Sequence, residues 1–141
     1  MKVWSDSFAD GATIPVEFAF GRIDAATRVA LSGNRNPHLA WSGLPVGTKS
    51  LAVVCHDPDV PSSGEDVNQE GREVPASLAR VSFHHWILVD LPASRPPIAA
   101  GEYSSAVTPR GKPGPSAGRG ARQGINDYTG WFANDPDMAG D

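Results

Sequence analysis

The sequence predicts a single, mainly β domain, and three observations carry that expectation. Fifteen glycines and thirteen prolines interrupt the chain so often that long helices have little room. The apolar runs between them are short and bounded by turn residues, as strands require. The length of 141 residues encloses one core and falls short of two ordinary ones, so residues 1–141 are read as one domain.

In chain order, strands are expected over Val16–Phe20, Leu39–Trp41, Ser50–His56 and Val81–Asp90. The stretch from Ser50 to Cys55 is apolar on both alternations, which calls for a sheet covered on both faces by a second sheet or by helices. Ser62 to Ala79, with Glu65, Asp66, Glu70, Arg72 and Glu73, reads as an exposed excursion between two strands, with a short helical turn over Pro75–Arg80. Pro92 to Gly124 is dense in Pro, Gly and Ser and reads as a long irregular surface connection. Trp4, Trp41, Trp86 and Trp131 are assigned to the core or to a pocket wall, because large aromatics bury much apolar area.

Charge and composition narrow the partners. Twelve basic against sixteen acidic side chains leave a formal charge of -4, which gives no general attraction to nucleic acid or anionic membranes. Arg110, Lys112, Arg119 and Arg122 form a local basic cluster without interleaved aromatics for base stacking, so a solvated loop is expected and no nucleic-acid partner. A single cysteine excludes an internal disulfide. Asp6 and Asp10 precede any apolar run of signal-peptide length, and no segment reaches spanning length, so a cytoplasmic protein without integral membrane association is expected.

The chemistry concentrates in two runs, Cys55-His56-Asp57-Pro58-Asp59-Val60-Pro61 and Phe83-His84-His85-Trp86. Pro58 restricts Asp57 to extended or turn conformations, so an Asp-Pro-Asp-x-Pro turn at a strand end projects its carboxylates reproducibly. Regular alternation places Phe83, His85, Ile87 and Val89 on one face and His84, Trp86 and Leu88 on the other, so one histidine of the pair can face a given pocket. A nearby carboxylate favours the imidazolium, and a protonated or suitably tautomeric His85 donates to phosphate or carboxylate oxygens. His56, Asp57 and His85 have the chemistry of zinc or iron ligands, but no His-x-His or His-Glu-x-x-His spacing is present, so neither metal nor cofactor is expected. Cys55 alternates with Leu51 and Val53 and is assigned to the core rather than to a nucleophilic triad. Asp57 and His85 supply a base and its orienter without an electrophile stabiliser, so an enzyme is not expected and a small hydrolase is the weaker alternative.

These two runs resemble the signature of the phosphatidylethanolamine-binding (Raf kinase inhibitor protein-like) family, nearest its bacterial and archaeal branch. Supporting segments are Phe8-Ala9-Asp10-Gly11 with Ile14-Pro15, Gly33 to Trp41, Leu44-Pro45 with Gly47 to Ser50, and Gly124-Ile125-Asn126-Asp127-Tyr128. The resemblance implies a Greek-key β-sandwich of antiparallel sheets with minor helix. It also implies an anion pocket in which Asp57 and His85 are the polar contacts, Phe83 an apolar wall, and Pro58 and Pro61 the rim. Asp59, His84, Asn126 and Tyr128 stand as supporting residues, Asp59 as a brace of the turn. The implied ligand is a small phosphorylated or carboxylated molecule such as a phospholipid head group. The alternative is regulation of a protein kinase or protease through surface loops.

Members of that family continue into a Gly-Pro-rich segment and a His-x-Tyr strand that completes the pocket. Here all four histidines precede residue 87. The expectation is a truncated or cleaved chain with an open pocket and a sheet edge needing cover, from a homodimer partner or a severed C-terminal piece.

Overall fold

The computed structural model describes residues 1–67, 69–109 and 111–131. Among them eight strands appear in chain order: β1 (Lys2–Trp4), β2 (Gly21–Asp24), β3 (Arg28–Leu31), β4 (Ala40–Ser42), β5 (Ser50–Pro61), β6 (Arg80–Pro92), β7 (Ser116–Gly118) and β8 (Ala121–Gln123). Among the described residues the helical content is a 3-10 turn at Val16–Phe18 and a four-residue helix, α1, at Tyr128–Trp131. All pairings are antiparallel: β1 with β4, β2 with β3, and a four-stranded sheet in the order β5-β6-β8-β7. The mainly β class is therefore as expected. No helix among the described residues is long and apolar enough to cross a membrane.

The long hairpin of β5 and β6 organises the molecule. Leu88, Leu91 and Ile98 are 0% exposed and, with Tyr103 and Ala121, form the core against which Leu39, Trp41, Leu51, Val53 and Trp86 pack. Burial of each such aliphatic side chain contributes about 1.5–3 kcal/mol. Three irregularities interrupt the ladder. Leu51 pairs with Leu91 but Val53 with Leu88, so β6 carries an extra residue there, beside Asp90 at φ 57°. That insertion lets Leu88 and Leu91 both face the core. Cys55 pairs with Trp86 and His56 with His84, which leaves His85 without a cross-strand partner in the ladder. Asp57 pairs with Phe83 and Val60 with Val81, so the third extra residue lies on β5, at Pro58-Asp59. A bulge suits Pro58, which has no N–H to donate.

Several expectations change. Val16–Phe20 is not a strand: after Pro15, the N–H of Phe18 donates to Pro15 O (2.9 Å) and that of Ala19 to Val16 O (3.2 Å), closing a 3-10 turn. The strands fall later, in the β2-β3 hairpin, whose turn is tied by Asp24 Oδ1 accepting from the N–H groups of Ala26 and Thr27 at 3.0 Å. The Ser50 to Cys55 stretch is covered on one face, since Leu51 and Val53 reach the core while Ala52 and Val54 are exposed. The Asp-Pro-Asp segment does not end its strand; β5 continues through the bulge to Pro61. Ser62 to Ala79 is the loop of this hairpin, closed by Ser62 N–H donating to Ala79 O (2.9 Å), and the helical turn over Pro75–Arg80 is a single hydrogen-bonded turn, Leu78 N–H to Pro75 O (3.0 Å).

Pro92 to Gly124 is more than surface. It supplies Ile98, Tyr103 and Ala121 to the core, and β7 and β8 to the sheet. Asn36, 5% exposed, anchors it: Oδ1 accepts the N–H groups of Tyr103 (2.8 Å) and Ser104 (3.0 Å), while Nδ2 donates to the carbonyls of Pro37 (2.9 Å) and Ala99 (3.0 Å). Of the basic cluster, Lys112 donates to Tyr103 O and Arg119 lies 4.0 Å from Glu102, while Arg110 falls outside the described residues. Trp41 and Trp86 pack on the core, Trp4 is exposed, and the Trp131 side chain lies outside the described residues.

Candidate functional site

Facing residues of an antiparallel pair share one side of the sheet. Val53 with Leu88, Cys55 with Trp86, and Asp57 with Phe83 therefore lie on the core side, while Val54 with Ile87 and His56 with His84 lie on the other. The bulge at His85 makes this possible, because one extra residue re-phases the alternation of β6. Strict alternation, which separated Phe83 from Trp86 and Leu88, fails at this point. His85 sides with Phe83, their ring centroids 5.1 Å apart, whereas His84 stacks on His56 at 5.1 Å. His85 rather than His84 therefore lies on the Asp57 side of the sheet, through a bulge that regular alternation does not contain.

The wall opposite comes from the segment after β8. Gly124 N–H donates to Ile87 O (2.9 Å) and Asp127 N–H to His84 O (3.0 Å), so the chain continues along the edge of β6. Tyr128 then packs on three rings: Phe83 at 4.9 Å edge-on, His85 at 5.4 Å edge-on, and Phe20 at 5.5 Å stacked. Phe20 is held by its carbonyl, which accepts the Ser32 N–H at 2.8 Å. Gly33, next in line, must be glycine, because a side chain there would collide with the Glu17 carbonyl.

Asp57 is half-buried, and its Oδ1 accepts the Asp59 N–H at 2.8 Å. The brace therefore runs from the backbone of Asp59 to the carboxylate of Asp57, the reverse of the expected arrangement. The Asp59 carboxylate is exposed, 3.8 Å from Arg80 Nε. Pro58 lies exposed in the bulge, and Pro61 closes β5 opposite Arg80. Asn126 carries a buried Oδ1 without a hydrogen-bond partner among the described residues.

The electrostatics follow from this packing. Burial holds the His85 pKa below the usual imidazole value, against the opposing pull of Asp57 and then Asp127. Of the two expected donor forms, this favours the neutral ring over the imidazolium at neutral pH, and the neutral ring still offers one N–H. Burial, then the charges of Asp57 and Cys55, raise the Tyr128 phenol. Burial and then Asp57 raise the Cys55 thiol, so it stays protonated although the residue is exposed rather than in the core. Hydrogen bonding from His84 N–H holds the Asp127 carboxyl low. The result is a cluster of three rings, Phe83, His85 and Tyr128, on the side of the sheet that also bears the Asp57 carboxylate.

No group of three His, Cys, Asp or Glu side chains among the described residues is arranged to hold a metal ion. Two open depressions, of about 360 and 320 Å³, lie elsewhere: one beside Arg28 and Gln69, the other beside Lys112 and Gln123. Sequence reasoning missed Phe20, Asp127 and the facing of Cys55. Asp127 stands in a motif that gives it no role by itself, and nothing near Phe20 in the sequence announces its place.

A sequence model described as phosphatidylethanolamine-binding protein matches residues 4–139. The UPF0098 protein YbhB of Escherichia coli is 31% identical over 76% of this chain and 54% of its own length. YbcL of the same organism is 34% identical over 68% of this chain and 39% of its own length. The chain thus spans about half the length of these relatives or less. The crystal structure of E. coli YbcL, described as a new member of the mammalian PEBP family, superposes with a TM-score of 0.57 at 27% identity, covering 90% of this chain and 60% of that one. This chain belongs to the phosphatidylethanolamine-binding protein family.

Proposed function

We propose that this protein binds a small phosphorylated or carboxylated molecule at the Asp57–His85 face, without catalysing its conversion. One observation carries the reading: the bulge at His85 brings its imidazole, Phe83 and Tyr128 together on the side of the sheet that also bears Asp57. A neutral His85 N–H and the Tyr128 hydroxyl are donors for anionic oxygens. Asp57 repels a bare anion but accepts from an ammonium, so a ligand carrying both groups, such as a phosphoethanolamine head group, suits the site better than phosphate alone. A binding role is supported by the chemistry at hand. The adjacent thiol is held protonated, so it is a poor nucleophile.

The test is a two-dimensional NMR titration with O-phosphoethanolamine and, separately, inorganic phosphate. The reading expects saturable shifts centred on Asp57, Phe83, His85 and Tyr128, with the zwitterion the tighter ligand. Shifts confined to other surfaces would reject it.

A further inference from the structure

We propose that Asp127 is the positioning residue of this site: it clamps the segment ahead of α1 onto the edge of β6 at His84 and so seats the Tyr128 ring against Phe83 and His85. The proposal rests on the reading of the Asp57–His85 face as a ligand site.

Three contacts tie the two residues. Asp127 Oδ2 accepts the backbone N–H of His84 at 2.7 Å, the Asp127 N–H donates to His84 O at 3.0 Å, and the same Oδ2 lies 3.2 Å from His84 Nδ1. The first two form a closed ring joining one residue's backbone to the other's backbone and side chain. The clamp acts where β8 has already ended, since Gln123 opposite Leu88 is its last ladder residue and Gly124 N–H on Ile87 O is the last contact before the loop. His84 gains a role distinct from His85: its backbone is the anchor point, and its ring stacks on His56, on the opposite side of the sheet from Asp57. The Asp127 carboxylate stays well hydrated, 47% exposed on its side chain, so its contribution is geometric and its charge acts on His85 only as a minor influence behind burial.

The experiment is a double-mutant cycle on the full chain, read by O-phosphoethanolamine affinity and by the NOE between the Tyr128 and His85 rings. Asp127→Ala is expected to lose the NOE and to weaken binding about five-fold, the scale of one lost contact of about 1 kcal/mol. Tyr128→Ala is expected to weaken binding by a similar factor, and the double variant no further, because one residue acts through the other. Asp127→Asn keeps a carbonyl oxygen for the His84 N–H and is expected to restore both the NOE and the affinity. Additive losses in the cycle, or an Asp127→Ala variant with NOE and affinity intact, would overturn the proposal. Should Asp127→Ala not fold, Asp127→Glu decides: it keeps the charge while displacing the acceptor, and an undiminished NOE there would equally overturn it. If the parent binds no O-phosphoethanolamine, the ligand reading fails by itself, and the NOE alone still decides whether Asp127 seats Tyr128.

Discussion

Asp57 and Asp59 are joined by a 2.8 Å hydrogen bond in which the backbone N–H of Asp59 donates to Asp57 Oδ1. The bond spans the Pro58 bulge, so one carboxylate oxygen fixes the backbone while the other remains available at the site. Asp57→Ala removes the brace and should cost about 1 kcal/mol in chemical denaturation. Asp57→Asn retains an acceptor and should cost less, while removing a charge that raises the His85 pKa. The His85 titration, followed by the ring Cε1–Hε1 resonance, should therefore move to lower pH in Asp57→Asn.

The depressed pKa of His85 links both stability and binding to pH. The unfolded chain takes up the proton at the ordinary imidazole value, about 6.5, and the folded chain only below it. Stability from this group is therefore full above about pH 6.5 and is lost as pH falls through the folded-state value. Anion binding runs the other way, because the imidazolium adds charge attraction to the single N–H donor that the neutral ring offers. Sulfate, which does not titrate in this range, should bind more tightly at pH 5.5 than at pH 7.5. Equal sulfate affinity at the two pH values would separate His85 from the anion.

Cys55 is exposed as a whole residue, yet partial burial around its sulfur, and then Asp57, raise the thiol pKa and keep it protonated. At pH 8 it should react with an aromatic disulfide reagent more slowly than free cysteine, since the thiolate is the reactive form. Asp57→Asn should speed the reaction, measured by absorbance at constant ionic strength.

Asn36 carries a structural prediction away from the site. Its amide satisfies two backbone donors and two backbone carbonyls between residues 37 and 104. Asn36→Ala should destabilise by about 2–4 kcal/mol, because buried backbone groups lose their partners. Urea denaturation monitored by tryptophan fluorescence measures it.

The sequence was most legible where apolar runs are long. Leu51–Val54 and Phe83–Val89 announce β5 and β6, and their polar neighbours announce the site. The β2-β3 hairpin was not legible, because Gly21-Arg22-Ile23-Asp24 buries little; Ile23 is 93% exposed and leaves no periodic apolar signal. Val16–Phe18 looked like a strand because β-prone residues fill it, and Pro15 turned it into a 3-10 segment. Motif resemblance singles out Asp57, His85 and Phe83, with Tyr128 as a supporting residue, and the structure brings Phe83, His85 and Tyr128 into ring contact. The route by which they meet was not found, because a bulge is set by cross-strand register and not by local sequence. Phe20 reaches Tyr128 from the far end of the chain, a contact that tertiary packing alone creates.

The most direct test of the account is a calorimetric titration of O-phosphoethanolamine into the parent protein, His85→Ala and His84→Ala at one pH. The account predicts saturable binding by the parent, a loss of about ten-fold or more in His85→Ala from the missing donor and ring, and a smaller loss in His84→Ala, whose backbone anchor survives. Equal affinity of the parent and His85→Ala would contradict it.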